Sequence, residues 1–325
     1  MAKAIVVTET GGPEVLRIVD VPVGKPGPGE VRVRQGAIGL NFIDVYYRNG
    51  TYKAPSLPFT PGMEAAGVIV AIGSDVKEFT VGDRVAYASP PVGAYTELRL
   101  MAAERLVPLP DMIDDKTAAA MMLKGMTAQY LLRRTYHVKA GDTILFHAAA
   151  GGVGLIACQW ARQLGATVIG TVGNDEKAAL AAAHGCHYPI VYTKENFVER
   201  VRAITEGRGV SAVYDSIGKD TFLASLDCLA PRGIMVSFGQ SSGTIPPFDV
   251  TLLNIKGSLF LTRPSLFAYT ADRVELMATA QELIRMVVQG AVKVVVNQTY
   301  PLAEACDAHR ALQAGETTGS TVLLP

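Results

Sequence analysis

Hydrophobic and polar positions change their period along this chain, and the change marks its organisation. From Met1 to about Met122, short alternating segments are separated by Pro- and Gly-rich turns: GGPEV, VGKPGPGEV, FTPGMEAAGVIVAIG and FTVGDRVAYASPPVGAYTEL. Closely spaced strands of this kind predict a mostly antiparallel, barrel-like domain. Asp115 to Tyr136 reads as helix and is expected to bridge two domains. The pattern then becomes an alternation of strand and helix. Expected strands are Thr143 to His147, Thr167 to Val172, His187 to Tyr192, Val210 to Ile217, Gly233 to Gly239 and Asn254 to Thr262. Helical patterns of about ten residues separate them, which predicts βαβ units and a doubly wound parallel sheet. After Pro264 a long helical stretch (Ala271 to Gln289), VKVVVNQTYPL, a helix EACDAHRALQAG and a final TVLLP follow. That tail is too short of strands for a third domain and is expected to complete the first. The expected division is 1–122 with 266–325, and 123–265.

The first strand of the second domain leads into Ala148-Ala149-Ala150-Gly151-Gly152-Val153-Gly154, and a helix follows at once. Strand, glycine turn and helix in that order form the phosphate-cradling start of a dinucleotide fold. Ala150, Gly151, Gly152 and Val153 are the expected pyrophosphate contacts, where backbone approaches closely and a new helix offers unpaired N–H groups. Ala149 stands where the first glycine of G-x-G-x-x-G is usual, which is tolerated only if its φ is not positive.

The end of the second strand separates NAD from NADP. A carboxylate about twenty residues beyond the glycine turn would take the ribose 2′-hydroxyl. Gly173-Asn174 stands there instead, and Lys177 follows on the first helical turn. Losing the acid and gaining a cation fits a 2′-phosphate, so the cofactor expected is NADPH. Tyr192, ending the third strand, can cover the same phosphate. The plain alternative is that Asn174 only caps a helix and Lys177 is a solvated surface residue. Ser216, Phe238, Gly239, Ser241, Phe260, Thr262 and Arg263 lie on the later strands and turns, where the rest of the cofactor is expected. Arg263 can pair with cofactor phosphates or with the neighbouring loop.

Composition narrows the function classes. Thirty basic and thirty acidic residues cancel, which gives no reason to expect nucleic acid or a charged membrane as partner. Apolar runs stop well short of a bilayer span, and the N-terminus lacks a signal peptide's apolar core. Four scattered cysteines suit a reducing cytoplasm. The five histidines form no set, and only His147 is given a place, as a packed strand residue.

Gly141-Asp142, Leu145, Ala149-Ala150-Gly151-Gly152, Gly154, Gln159 and Arg162 fall on one signature spacing. On it the chain resembles the zinc-independent quinone oxidoreductases related to zeta-crystallin, within the medium-chain dehydrogenase/reductase superfamily. The resemblance covers essentially the whole length. It implies a GroES-like catalytic domain, a nucleotide domain and a C-terminal return, in a homodimer that passes reducing equivalents from NADPH to quinones or activated alkenes. The superfamily's alcohol dehydrogenases hold zinc through a Cys and a His; the matching positions here are Asn41 and Met63. Neither amide nor thioether is a competent zinc ligand in such a site, so no metal is expected. The acceptor must already be electrophilic, as a quinone or an enone is.

The resemblance also implies that Asn41, Asp44, Tyr46 and Tyr52 line the cleft facing the nicotinamide, and that Thr127 reaches its ribose or carboxamide. Asn41 would bond cofactor or acceptor oxygen, and the two tyrosines would wall a flat quinone. Asp44 is expected to organise its loop. An enone or enoyl reductase is the nearest alternative, with Tyr46 or Tyr52 protonating carbon. A non-catalytic NADPH- or RNA-binding role is a further one.

Overall fold

A computed structural model describes residues 1–325. Two compact units form. The first comprises Met1–Met126, Thr270–Gln281 and Val294–Pro325; the second comprises Thr127–Tyr269 and Glu282–Lys293.

In the first unit β1 (Ala2–Val6) and β2 (Arg17–Val21) form an antiparallel ribbon. Then come β3 (Glu30–Leu40), α1 (Phe42–Arg48), β4 (Glu64–Ile72), β5 (Arg84–Ala88), β6 (Leu98–Ala102), β7 (Val107–Pro108) and α2 (Asp115–Tyr130), which crosses into the second unit. Along β3, Val31, Val33, Gln35 and Ala37 turn inward at alternate positions, the two-residue period of a strand with one covered face. Ile5, Ile69, Val85, Tyr87 and Tyr95 complete this core with them.

The second unit holds β8 (Thr143–Phe146), α3 (Gly152–Gln163), β9 (Thr167–Val172), α4 (Asp175–Ala183), β10 (Tyr188–Val191) and α5 (Phe197–Ile204). It continues with β11 (Val210–Asp215), α6 (Phe222–Leu226), β12 (Leu229–Ser237), α7 (Thr251–Ile255), β13 (Phe260–Thr262) and α8 (Leu266–Tyr269). All six strands are parallel, in the order β10-β9-β8-β11-β12-β13. Ile169, Leu145, Val213 and Met235 sit in register across four neighbouring strands. Val201 of α5 and Phe222 and Leu226 of α6 join them in one core. Helix α3 ends on Gly165 at φ 84°, the left-handed residue that stops a helix.

α9 (Arg273–Val288), β14 (Val296–Pro301), α10 (Ala305–Gln313) and β15 (Ser320–Leu324) close the chain. β15 pairs antiparallel with β3, and β14 lies parallel outside it, so these strands finish the first unit's sheet. The fold is thus a Rossmann-type parallel sheet plus a mostly antiparallel GroES-like domain.

Three local expectations are corrected. The stretch expected as one strand, Asn254 to Thr262, is split between α7 and β13, because Gly257 (φ 116°) and Ser258 (φ 54°) break the extended chain. The helix expected to reach Tyr136 is α-helical only to Tyr130, with a π turn over Leu131–Thr135. Nor does 266–325 belong wholly to the first unit. Glu282 bonds Gln129 at 2.7 Å and pairs with Arg133 at 3.3 Å, and Lys293 exchanges two backbone bonds with the Gln159 side chain. Those contacts hold 282–293 within the second unit, and the expected boundary at 122 falls inside continuous α2.

Candidate active site

In the second unit the parallel strands bring Phe146, Val172, Val191, Asp215, Ser237 and Thr262 to one C-terminal edge, the edge where such sheets take ligands. After β8 the left-handed residue is Ala148, at φ 53°, so Ala149 escapes the strain that would have barred it. Gly151 N–H donates to Ala148 O at 2.9 Å and closes the turn. A Cβ on Gly154 would lie 2.3 Å from Ala148 O and 2.8 Å from Ala149 Cα. Glycine is therefore obligatory where α3 passes the turn. The first N–H groups of α3 have no partner within the helix, and a helix start of this kind suits an anion.

After β9, Asn174 caps α4, its Oδ1 accepting from Lys177 N–H at 2.9 Å. The neighbouring Asp175 is drawn to Lys194 at 2.5 Å. A Cβ on Gly173 would come within 3.3 Å of Tyr192 Oη, so the hydroxyl stands directly over that glycine. Lys177 thus lies in the first turn of α4, and Tyr192 Oη lies over Gly173, the corner where the sequence expects a 2′-phosphate.

After β11, Asp215 is fully buried and organises the loop. Its Oδ1 accepts from Ile217 N–H and Gly218 N–H, and its Oδ2 from Thr221 Oγ1 at 2.8 Å. Ser241 N–H donates to Ser216 O, joining this loop to the one after β12. A Cβ on Gly239 would meet Ser216 O at 2.7 Å, so only glycine lets the loops touch. Phe238 packs on Phe146 with ring centroids 5.8 Å apart. The Arg263 guanidinium donates to Ser237 Oγ, Gly239 O and Gln240 Oε1 at 2.9–3.0 Å, bracing the neighbouring loop. Thr262 closes β13 beside it, whereas Phe260 opens that strand and is 61% exposed, away from the C-terminal edge.

In the first unit Asn41 is the N-cap of α1. Its backbone N–H donates to Asp44 Oδ2 at 2.9 Å and its Nδ2 to Glu64 Oε2 at 2.8 Å. Glu64 is fully buried, accepting from Leu123 N–H at 2.6 Å and pairing with Lys124 at 3.3 Å. The Asn41 amide is thus fixed, with its donor edge on Glu64 and its oxygen on the other edge. Tyr46 and Tyr52 stack obliquely at 5.1 Å, and Tyr47 meets Tyr52 edge-on at 5.8 Å. Burial pushes the Asp44 carboxyl up to about 7, against the lowering pull of Asn41 N–H, the Tyr95 hydroxyl and Lys124. Tyr95 Oη bonds Asp44 Oδ2 and His309 Nε2, each at 3.0 Å; His309 Nδ1 faces Arg48 Nη1 at 3.1 Å. Glu64, Tyr95, Arg48 and His309 are absent from the sequence expectations, and His309 there has no role. Thr127 is buried on α2.

A family model described as a zinc-binding dehydrogenase matches residues 152–283, and one described as the alcohol dehydrogenase GroES-like domain matches 27–111. The chain is 55% identical to a quinone oxidoreductase of Pseudomonas aeruginosa, covering 100% of both. It is 49% identical to a 2-haloacrylate reductase of a Burkholderia species, covering 100% of this chain and 99% of the relative. The crystal structure of Escherichia coli quinone oxidoreductase complexed with NADPH superposes with a TM-score of 0.98 at 48% identity, covering 100% of both chains. The residues here do not fit a zinc ion. Asn41 Nδ2 is committed to Glu64, Met63 is packed in the interior, and no three His, Cys, Asp or Glu side chains are grouped to hold a metal.

Proposed function

We propose that the chain, which belongs to the zeta-crystallin-like quinone oxidoreductases of the medium-chain dehydrogenase/reductase superfamily, uses NADPH to reduce quinones without a metal. The observation that carries this reading is the corner at Gly173. Gly173 and Asn174 stand where a carboxylate for the ribose hydroxyl is usual, and Asp175 is paired with Lys194. Lys177 follows on the first turn of α4 and Tyr192 Oη stands over Gly173, in a chain that matches an NADPH-complexed quinone oxidoreductase over its whole length.

NADPH, when bound, supplies the hydride. The glycine turn and the first N–H groups of α3 hold its diphosphate, and Lys177 with Tyr192 holds the 2′-phosphate. Ser216, Gly239 and Ser241 bound the nicotinamide half, on loops that Asp215 and Arg263 keep rigid. Tyr46 and Tyr52 give a flat acceptor an aromatic wall with hydroxyls at its rim. Asn41 and Thr127 offer hydrogen bonds to the nicotinamide or to the acceptor oxygen. A conjugated acceptor is electrophilic enough without Lewis-acid help, so these residues accelerate mainly by positioning.

The resemblance to a 2-haloacrylate reductase favours a second reading, in which the same site reduces an activated alkene and Tyr46 or Tyr52 protonates carbon. Anaerobic turnover of NADPH against p-benzoquinones, naphthoquinones, 2-chloroacrylate and cyclohexenone separates the two. Faster turnover on quinones is expected, and selective turnover of the alkenes reverses the order. The working form proposed is a cytoplasmic homodimer. Four free cysteines suit a reducing compartment. Strand β13, with Phe260 and Leu261 exposed at the sheet's edge, suits pairing with a second copy. No helix is long and apolar enough to cross a membrane.

A further inference from the structure

The buried contacts behind α1 have a forced direction. Arg48 carries only donors, so Nη1 donates to His309 Nδ1, and that nitrogen must accept. Burial and the Arg48 charge hold the His309 pKa down to about 3, so the ring stays neutral at ordinary pH. Its single proton is therefore on Nε2, which donates to Tyr95 Oη. The Tyr95 hydroxyl in turn donates to Asp44 Oδ2, which already accepts Asn41 N–H. Every hydrogen in the series points from Arg48 toward Asp44. No member can turn round without setting donor against donor in the interior, so the series cannot pass protons along. Arg48 is anchored at its start by Gly11 O and Gln313 Oε1. At its end Oδ2 is saturated, while Oδ1 is buried with no hydrogen-bond partner. A proton held by Asp44 sits on Oδ1.

We propose that Arg48, His309 and Tyr95 are positioning residues that tune the charge on Asp44, and that acceptor reduction proceeds while Asp44 is neutral and fails once it ionises. The physical reason is local charge. Asp44 lies on the same short helix as Tyr46 and bonds the backbone of Asn41. With the acceptor seated against Tyr46 as proposed above, a carboxylate one turn away would oppose the negative charge that hydride brings to it. The groups facing Asp44 are Asn41 and Tyr47 on its own segment, Tyr95, Lys124 of α2 and Glu64 of β4. Lys124 and Glu64 act on it with opposite sign and pair with each other. The Tyr95 donor is therefore the adjustable contribution, bringing a carboxyl that burial alone would hold higher back toward neutrality.

The proposal rests on the quinone-reductase reading only for its activity readout. Three forms of the full chain are compared: wild type, Tyr95→Phe, and the protein with 3-fluorotyrosine at position 95, which keeps the shape and strengthens the donor. Carboxyl-¹³C NMR should show Asp44 titrating near neutrality in wild type. The titration should move to higher pH in Tyr95→Phe, by roughly half a pH unit or more, and to lower pH with fluorotyrosine. The alkaline limb of kcat with NADPH and a p-benzoquinone should move the same two ways, with KM for the quinone changed less than about twofold. Histidine-¹⁵N NMR should show His309 as the Nε2–H tautomer, without titration near neutral pH. An Asp44 titration that ignores both substitutions, or an Nδ1–H tautomer of His309, overturns the tuning of Asp44 through this series. A kcat limb that stays still while Asp44 shifts overturns the charge requirement. If Tyr95→Phe does not fold, the fluorotyrosine form alone decides by the direction of its shift. If no quinone is reduced, the quinone reading fails, and the two NMR measurements still decide whether the series tunes Asp44.

Discussion

Lys177 leaves the first turn of α4 from a fixed point, because Asn174 holds its backbone N–H. A charge-assisted bond from its ammonium to a 2′-phosphate contributes about 1.5–3 kcal/mol. Lys177→Ala is therefore expected to raise the NADPH dissociation constant roughly ten- to a hundredfold and to leave NADH nearly unchanged. Titrating both cofactors into the variant checks this; equal weakening of both would make Lys177 a support of the fold. Gly173→Asp should act more strongly, since its Cβ meets Tyr192 Oη at 3.3 Å and the new carboxylate repels the phosphate. The sequence singles out this corner because its distance from the glycine turn is set by one βαβ unit. It gives no sign of the surroundings of Asn41. Its amide partner Glu64 is 23 residues away, and Tyr95 bonds Asp44 across 51 positions and His309 across 214. No local period links such residues; only the barrel's strand pairing and the return of α10 bring them together.

Among the elements, the turn between β8 and α3 was read correctly in kind but not in its strained residue. The doubt raised by the motif concerned Ala149, whereas Ala148 adopts φ 53°. A left-handed alanine costs about 1–2 kcal/mol, and glycine there would lose about 0.4–1 kcal/mol of that gain through a freer unfolded chain. Ala148→Gly should thus stabilise the second unit by about 0.5 kcal/mol and keep NADPH affinity. Gly154→Ala should do the reverse, because its Cβ would press on Ala148 O at 2.3 Å. Forcing that contact apart costs about 1–3 kcal/mol and opens the diphosphate cradle. Urea unfolding and cofactor titration of the two variants test the pair; a stabilised Gly154→Ala would contradict the close packing described here. The parallel strands β8 to β12 were legible because each carries a short β-branched or aromatic run between helical patterns. The sixth was overextended, since apolar character alone does not reveal that Gly257 and Ser258 turn the chain.

At the scale of the whole molecule, the division of α9 between two units left no trace in the sequence, because its apolar period runs on unbroken while its partners change. Assembly is more accessible to test. Leu261→Lys puts a charge on the exposed edge strand β13. If the proposed homodimer pairs there, sedimentation should show dimer for the parent and monomer for the variant, and a parent that is monomeric at micromolar concentration overturns the pairing. Stability against pH is subtler, because two buried groups oppose each other. Asp44 keeps its proton to about pH 7 in the native state, against an ordinary carboxyl value of 3.8. Between those values the native chain binds more protons than the unfolded one, so Asp44's contribution to stability falls as pH rises. His309, held down to about 3 from 6.5, does the opposite. There the unfolded chain binds the extra proton, and stability rises with pH. Each slope is about 1.4 kcal/mol per pH unit, so the two nearly cancel over the window they share. Asp44→Asn mimics the neutral acid and removes only the falling contribution. Relative to wild type, its stability should climb from about pH 4 to about pH 7 and stay higher above that. His309→Gln should lose stability relative to wild type over the same range as pH rises. Buried His147 adds the same slope to all three proteins and drops out of the comparison. Urea unfolding at several pH values measures both differences, and a difference that does not vary with pH would mean that Asp44 and His309 do not carry these protonation states in the native fold.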